Sequence, residues 1–163
     1  MGKYFLMSMR FNKNTAEDFG LVQTENDLAI NPKDNTVWKK RPLYDFGWGE
    51  ENGYVLNVEI SFDDLIDLVL NGDKEDSYGA ASVVLKEHSD IFLDYCENMF
   101  SENNKEEINK IIEVFNLIKP INRSTTINKP IDTINNDYNR WNKISENSKA
   151  YLQNKKRKFL WFK

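Results

Sequence analysis

Cysteine and histidine are almost absent from this chain of 163 residues, which contains only Cys96 and His88. A single cysteine excludes an internal disulfide framework and a cysteine-rich zinc site. The tripeptide His88-Ser89-Asp90 contains the residue types of a catalytic triad, but triad side chains converge from separate elements, which adjacent residues do not. We therefore predict no enzymatic activity and no bound metal.

Motifs for phosphate and calcium are lacking as well. Gly47, Gly49 and Gly53 bracket a loop, but no Lys-Ser/Thr pair and no immediate helix follow them, as a phosphate loop requires. The acidic middle of the chain does not contain the alternating oxygen ligands and central glycine of a calcium-binding loop. The sequence therefore predicts a protein without a cofactor.

Long hydrophobic runs are also missing. No apolar stretch approaches the length of a membrane-spanning helix. The N-terminal sequence MGKYFLMSMRF has too few apolar residues before Arg10 for the core of a signal peptide. We therefore expect the protein in the cytoplasm and expect no membrane partner.

What the chain does contain is enough apolar surface to fold. Hydrophobic residues make up 40% of the sequence and aromatic residues 13%, which argues against disorder. The length is that of one domain. Within residues 1–163 we distinguish a β-rich part (1–60), an acidic helical part (61–119) and a long basic C-terminal helix with its tail (130–158).

Apolar–polar alternation predicts strands over residues 3–11 and 54–62. Residues 35–49 are typical of a short strand followed by an aromatic loop, and Thr24 with Asp27 predicts a capped helical turn. The apolar faces of the two strands would contain Phe5, Met7, Met9 and Phe11 in the first, and Tyr54, Leu56, Val58 and Ile60 in the second.

Helical spacing follows from Ser61 onward. Ser61 is a predicted N-cap, and Asn71-Gly72 would end the first helix in a left-handed conformation. Gly79 and its alanine neighbours would let another helix approach the second helix closely. Ser89 would cap the third helix, and Pro130 suits the first turn of a long last one. The predicted buried stripes contain Leu65, Ile66, Val69, Leu70, Ile91, Phe92, Tyr95, Cys96, Met99, Phe100, Ile108, Ile111, Ile112, Phe115, Ile118, Ile131, Ile134, Tyr138 and Trp141, and Ser145 and Ser148 interrupt the last of them.

These elements predict an α+β fold, in which a small N-terminal antiparallel sheet of two to four strands packs against four or five helices. A mainly α-helical array with a small β cap is the alternative.

Charge is distributed unevenly along the chain. Residues 1–53 contain 7 Lys/Arg and 8 Asp/Glu (net −1), residues 54–107 contain 3 and 14 (net −11), and residues 108–163 contain 12 and 4 (net +8). An acidic surface of this size can steer a basic protein towards it. Carboxylates in the first turn of a helix also stabilise the helix dipole, which accounts for Asp63, Asp64 and Asp76 without any function.

Aromatic residues cluster next to the basic triplet Lys39-Lys40-Arg41, and aromatic and arginine side chains dominate binding hot spots. For most of these rings we favour the interpretation that they close one end of the core. Trp48, between two glycines, is the ring that we least expect to be buried. The predicted partner-binding residues are Trp48, Glu50, Glu51, Asp63, Asp67, Asp73, Glu75 and Asp76.

The C-terminal sequence KKRKFLWFK (155–163) is basic and aromatic. Such a tail can bind nucleic acid or an anionic membrane, or it can pack against the acidic part of its own chain. The acidic excess elsewhere would repel phosphate, which favours the intramolecular interpretation. A nucleic-acid-binding regulator that uses this tail is the alternative function.

The sequence NGDKEDSYGAASVVL (71–85), together with the loop GWGEENG (47–53), resembles the acidic turn and small-residue helix start of small bacterial immunity proteins. These proteins are cytosolic antidotes to secreted polymorphic toxins. The resemblance extends over residues 44–100 and implies direct occlusion of a toxin without catalysis. Acidic immunity proteins commonly bind basic nuclease toxins, which agrees with the acidic middle of the chain. The family is structurally diverse, so the resemblance implies no particular fold and no residue roles.

Overall fold

The computed structural model describes residues 3–8, 10, 12–47 and 49–160, with side chains up to residue 154. The chain forms two compact units, a first unit of residues 1–84 and a second unit of residues 85–163. The single domain with three parts stays a prediction.

An antiparallel sheet of five strands forms the first unit together with helices. The strand order is β1-β5-β4-β3-β2, and all neighbours are antiparallel. Five helices follow the sheet along the chain, which confirms the α+β prediction with one more strand than expected. The strands are β1 (Phe5–Met7), β2 (Val22–Glu25), β3 (Leu28–Ile30), β4 (Val37–Asp45) and β5 (Glu50–Leu56).

Both faces of the sheet bury apolar side chains. Tyr54 and Trp38 lie on one face, where they pack with the segment that contains the short 3-10 helix Glu17–Phe19. Phe5 lies on the other face, against Gly79 of the second helix. A Cβ atom added to Gly79 would lie 2.3 Å from Cγ of Phe5. Gly79 therefore lets strand β1 approach the helix closely, whereas the sequence predicted that another helix would do so.

The strand boundaries differ from the predicted ones. β1 is only three residues long, and Met9 and Phe11 lie outside the described residues. β5 begins earlier than predicted and ends at Leu56, because its partner Trp38 lies next to the first residue of β4. Val58, which was predicted to share a buried face, is 53% exposed beyond the end of the ladder.

The predicted helical turn at Thr24 and Asp27 is wrong, since this segment forms the β2–β3 hairpin. The side-chain amide of Gln23 donates hydrogen bonds to the carbonyl oxygens of Asn26 (3.2 Å) and Leu28 (3.0 Å). The Gln23 side chain thereby bridges the two ends of the hairpin turn.

Helix α1 (Phe62–Asn71) begins at Ser61, whose Oγ accepts a hydrogen bond from the Asp64 N–H at 3.2 Å, so the predicted N-cap is confirmed. Gly72 is extended (φ −68°, ψ 166°), and the predicted left-handed ending is wrong. The chain goes directly into helix α2 (Lys74–Glu87). The sequence predicts a start near Asp76 or Ser77, but the helix begins earlier, because Asp73 accepts a hydrogen bond from the Asp76 N–H at 2.9 Å and thereby caps it.

Three helices form the second unit: α3 (Ser89–Glu102), α4 (Lys105–Val114) and α5 (Ile131–Leu160). Its core is aromatic. The Phe92 ring centroid lies 4.1 Å from that of Phe115 and 5.8 Å from that of Trp141. Cys96 is fully buried in this unit, as predicted, and burial raises the pKa of its thiol well above the ordinary value.

Some predicted core and cap positions in this unit are wrong. Ser89 is the first residue of α3 rather than its N-cap, and its hydroxyl accepts a hydrogen bond from the Thr125 N–H at 3.1 Å. Ser145 and Ser148 are buried instead of interrupting the packed face, and Ser145 donates a hydrogen bond to the Ile118 carbonyl oxygen at 2.7 Å. The stripe positions that are exposed are Ile91, Ile118, Ile131 and Tyr138.

Candidate functional site

Three aromatic rings contact one another in the first unit. Tyr44 and Phe46 come from the end of β4, and Tyr78 comes from α2. The ring centroids are separated by 4.8 Å for Tyr44–Phe46 and by 4.7 Å for each of the two pairs with Tyr78. All three side chains are half-buried, so part of each ring faces solvent. We call these three residues the aromatic cluster.

The end of the β4–β5 hairpin positions two of the rings. The pairing of β4 with β5 changes register between Pro42 and Asp45, and Asp45 then pairs with Glu50. Such an irregularity bends the strand and redirects its side chains. It thereby separates Tyr44 and Phe46 from the regular alternation of β4.

A carboxylate fixes the tip of the same hairpin. Asp45 Oδ1 accepts hydrogen bonds from the N–H groups of Gly47 (2.6 Å) and Gly49 (3.0 Å). Both glycines have positive φ angles (103° and 117°), which other residues rarely adopt. The two N–H groups lower the pKa of the Asp45 carboxyl, so this exposed residue is charged at neutral pH. Trp48, between the glycines, is not among the described residues, and its predicted role stays a prediction.

Glu50 and Glu51 have different environments although they are adjacent. Glu50 is exposed at the hairpin tip. Glu51 is completely buried, and its carboxylate accepts a hydrogen bond from the Arg10 N–H at 2.6 Å. The Glu51 carboxylate is thus used inside the unit, and its role as a contact residue stays a prediction.

Asp76 is also buried, and its carboxylate binds backbone N–H groups at the beginning of β1. Oδ1 accepts hydrogen bonds from the N–H groups of Tyr4 (2.9 Å) and Phe5 (2.8 Å), at the edge strand β1. Burial is the main cause that raises the pKa of this carboxyl, although the two N–H groups oppose it. The side chain of Asp76 is thus part of the internal structure, and its contact with a partner stays a prediction.

Two other predicted contact residues share one lysine. Lys3 Nζ lies 2.8 Å from Asp73 Oδ2 and also pairs with Glu75. Partial burial by itself would raise the pKa of the Asp73 carboxyl, but the hydrogen bond from Lys3 outweighs it, so the pKa is lowered. Both carboxylates remain accessible, with 55% of the Asp73 side chain and 23% of the Glu75 side chain exposed. Lys3 partly cancels their charge.

Helix α1 presents the remaining predicted carboxylates. Asp63 is exposed, and none of the hydrogen bonds or ion pairs among the described residues involves its carboxylate. Asp67 is half-buried and accepts a hydrogen bond from Asn71 Nδ2 at 2.6 Å. Asp63, Asp45 and Glu50 thus present exposed carboxylates in the first unit, and Asp67 is partly accessible.

The aromatic cluster was only partly visible in the sequence. Tyr44 and Phe46 stood out as members of an aromatic segment, but Tyr78 did not. The available signal was a single large ring, Tyr78, directly before the small-residue run GAAS (79–82). Sequence spacing does not show that this ring meets the β4 end, because the two segments are more than thirty residues apart.

A polar groove of about 590 Å³ lies elsewhere in the first unit. Its floor includes Tyr54, whose hydroxyl donates a hydrogen bond to Gln23 Oε1 at 3.2 Å. Burial, with the negative charges of Glu17 and Asp27, raises the pKa of Tyr54. The rest of the lining consists of Lys40, the carboxylates of Glu17 and Glu25, Ala16, and amide or hydroxyl side chains. The groove can hydrogen-bond a polar molecule, and its lining contains no histidine or cysteine.

The residues of the apparent triad do not converge. Ser89 accepts its hydrogen bond from Thr125, and Asp90 lies 2.6 Å from Lys129 Nζ. His88 precedes α3 without capping it through its side chain. Across the part of the chain that the structure describes, no group of three His, Cys, Asp or Glu side chains is arranged to hold a metal ion.

No protein-family model matches this chain, and comparisons with curated proteins and with solved structures found no match either. Among the described residues, no helix is both long enough and apolar enough to cross a membrane.

Proposed function

We propose that this protein is a non-catalytic immunity protein that binds a cognate toxin in the bacterial cytoplasm and covers the toxin's active site. The observation that supports the proposal most is the aromatic cluster. The three rings contact one another and are only half-buried, and the acidic residues Asp45 and Glu50 pair at the end of the β4–β5 hairpin beside Tyr44 and Phe46. Tyrosine is one of the residue types that dominate the energy of protein interfaces.

Negative charges on the hairpin tip and on α1 of the first unit favour a basic partner. Asp45 and Glu50 flank the hairpin tip, and Asp63 and Asp67 present further negative charge on α1. Charges at the rim of an interface mainly raise the association rate and select the sign of the partner, whereas a central aromatic group supplies affinity. A standard interface of roughly 1,600 Å² is large enough to occlude an enzyme's active site.

The first experiment is affinity capture of the tagged protein from bacteria that encode it, at low and at high salt. We expect one captured protein, in equal stoichiometry with the tagged chain. When the captured protein is expressed alone, it should arrest growth, and co-expression of the wild-type chain should restore growth. Salt should reduce the yield, because charge steers the association.

Matched variants connect that result to the cluster. Tyr78→Ala should weaken binding by about thirty-fold or more, as expected for a hot-spot ring. Tyr151→Ala, which removes a half-buried ring that contacts Phe100 in the second unit, should leave binding unchanged. Equal affinity of both variants would count against the aromatic cluster as the binding site.

The carboxylates of α1 have a separate signature. Replacing Asp63 and Asp67 together by Asn should slow association and flatten its dependence on ionic strength, with little change in dissociation. Nucleic acid in the capture, lost after deletion of residues 155–163, would instead support the alternative regulator and contradict the immunity proposal.

A further inference from the structure

An ion-pair network in the second unit joins three segments of the chain. Lys129 Nζ lies 2.6 Å from Asp90 Oδ1 at the start of α3 and 2.8 Å from Asp137 Oδ2 in α5. Lys129 itself lies just before α5. The lysine therefore holds the start of α3, the preceding connection and the first half of α5 next to one another.

Exposed apolar side chains surround this network. Each lies within two residues of Lys129, Asp90 or Asp137 along the chain, so the network brings them into one region. We call them the apolar patch: Ile91 (53% exposed), Ile127 (76%), Ile131 (75%) and Tyr138 (47%). Contiguous exposed apolar surface with a polar rim marks interaction sites in soluble proteins.

The patch continues the apolar stripe of α5 beyond the part that the unit buries. Ile131 and Tyr138 are seven residues apart, on one side of the helix. Trp141 and Ile144 are buried further along α5, whereas Ile131 and Tyr138 are exposed. The first two turns of α5 thus present an apolar row that no other described element covers.

The rim of the patch is negative. Asp90, Asp132 and Asp137 supply three carboxylates against the ammonium group of Lys129, a sum of −2. Arg140, two residues from Tyr138, is paired with Asp94 and Glu97 of α3. Asp132 is exposed, and 55% of the Asp90 side chain is accessible. A second copy of the chain would bring a rim of the same sign, which opposes self-association through this surface. A partner with positive charge beside its apolar groups is complementary.

We propose that the apolar patch binds an amphipathic helix with basic flanks, contributed by another protein. The apolar face of that helix contacts the isoleucines and the Tyr138 ring, and its lysines or arginines meet Asp90 and Asp132. The inference does not depend on the immunity function, which involves residues of the first unit.

The test uses the full chain and a synthetic amphipathic helix built of leucine and lysine, with a second peptide that has glutamate in place of every lysine. We expect the lysine peptide to bind and the glutamate peptide to bind at least about ten-fold more weakly. Amide chemical-shift changes should centre on Ile131 and Tyr138.

Replacing Ile127 and Ile131 together by Ser should reduce affinity for the lysine peptide about ten-fold or more, without changing the unfolding midpoint, since both side chains are exposed. The matched control is Val22→Ser, an apolar residue of the first unit that is 53% exposed, and it should bind like the wild type.

Three results would overturn the proposal. The Ser variants could bind both peptides as the wild type does, or the shift changes could centre on the aromatic cluster instead. Alternatively, sedimentation could show a concentration-dependent dimer that the Ile127 and Ile131 substitutions abolish, which would make a second copy the occupant.

Discussion

Asp76 of the first unit and two carboxylates of α3 in the second unit are held by different means. In the first unit, Asp76 is buried and accepts hydrogen bonds from two backbone N–H groups. In the second unit, Asp94 and Glu97 lie at the surface of α3, where both pair with Arg140 of α5. An unmade buried hydrogen bond costs about 1–3 kcal/mol, whereas an exposed ion pair contributes about 0–1 kcal/mol. Equal charges therefore differ greatly in what they do for the fold.

This difference also separates internal from external charge in the first unit. Asp76 and Glu51 serve the sheet, while Asp45 and Asp63 remain at the surface. In the second unit, part of the positive charge of α5 is paired with α3, through Arg140. The side chains of the tail (155–163) lie outside the described residues, so its packing against the acidic part of the chain stays a prediction. The net charges of the segments thus overstate the charge that a partner would meet.

The largest expected effect is at Asp76. Asp76→Ala leaves the Tyr4 and Phe5 N–H groups without their acceptor and should lower the free energy of unfolding by about 2–4 kcal/mol. Asp76→Asn retains an acceptor oxygen and should cost clearly less. Urea unfolding measures both, and an Ala variant as stable as the Asn variant would show that the hydrogen bonds do not matter.

A smaller effect is expected where β1 meets α2. Gly79→Ala introduces a Cβ atom 2.3 Å from Cγ of Phe5 and should cost about 1–3 kcal/mol through overpacking, less the helix propensity gained by alanine. Phe5→Leu in the same background should recover part of the loss, a coupling that a double-mutant cycle of unfolding midpoints detects. Strict additivity would contradict the contact. Lys74→Ala, at the exposed start of α2, is the neutral control.

The smallest effect is expected for the ion pairs of the second unit. Arg140→Gln should lower the free energy of unfolding by no more than about 1 kcal/mol, and high salt should remove the difference. A loss of stability that persists in high salt would show that these ion pairs act like the buried hydrogen bonds of Asp76, which would contradict the comparison.

The stability difference between wild type and variant should change with pH in opposite directions for Asp76→Asn and Arg140→Gln. The hydrogen bond from Arg140 lowers the pKa of Glu97, so its contribution is present above its ordinary pKa of 4.5 and is lost as the pH falls through the lower folded-state value. Burial raises the pKa of Asp76 above 3.8, so its ionisation costs stability at neutral pH, and that cost disappears as the pH falls through the raised value. Between pH 7 and pH 4, the advantage of wild type should grow relative to Asp76→Asn. It should shrink relative to Arg140→Gln below about pH 4.5. Parallel curves would contradict both shifts.

The sequence predicted local structure better than side-chain environment. The Ser61 cap and the long helix after Pro130 depend on neighbours within a few residues, and both are present. The β2–β3 hairpin was missed, because β2 has no buried side chain and hence no alternation to detect. Ile131 and Tyr138 were assigned to a buried stripe, since periodicity shows that residues share a face but not whether anything covers it.

The candidate site shows the same division. Glu50 and Glu51 are indistinguishable by type and by position in an acidic loop, yet one is exposed and the other is buried by the pleat of β5. Tyr78 joins Tyr44 only because α2 passes the end of β4.

The sequence alone determined the α+β class, the starts of the first and last helices and the uneven distribution of charge, because these depend on composition, on periodicity and on contacts between near neighbours. Tertiary structure decided which charges remain at the surface. Asp76 is buried because it meets the backbone of residues more than seventy positions away, and Arg140 is paired because α5 returns to α3. Burial and pairing arise from packing between distant segments, so the accessible surface available to a partner was decided by the fold.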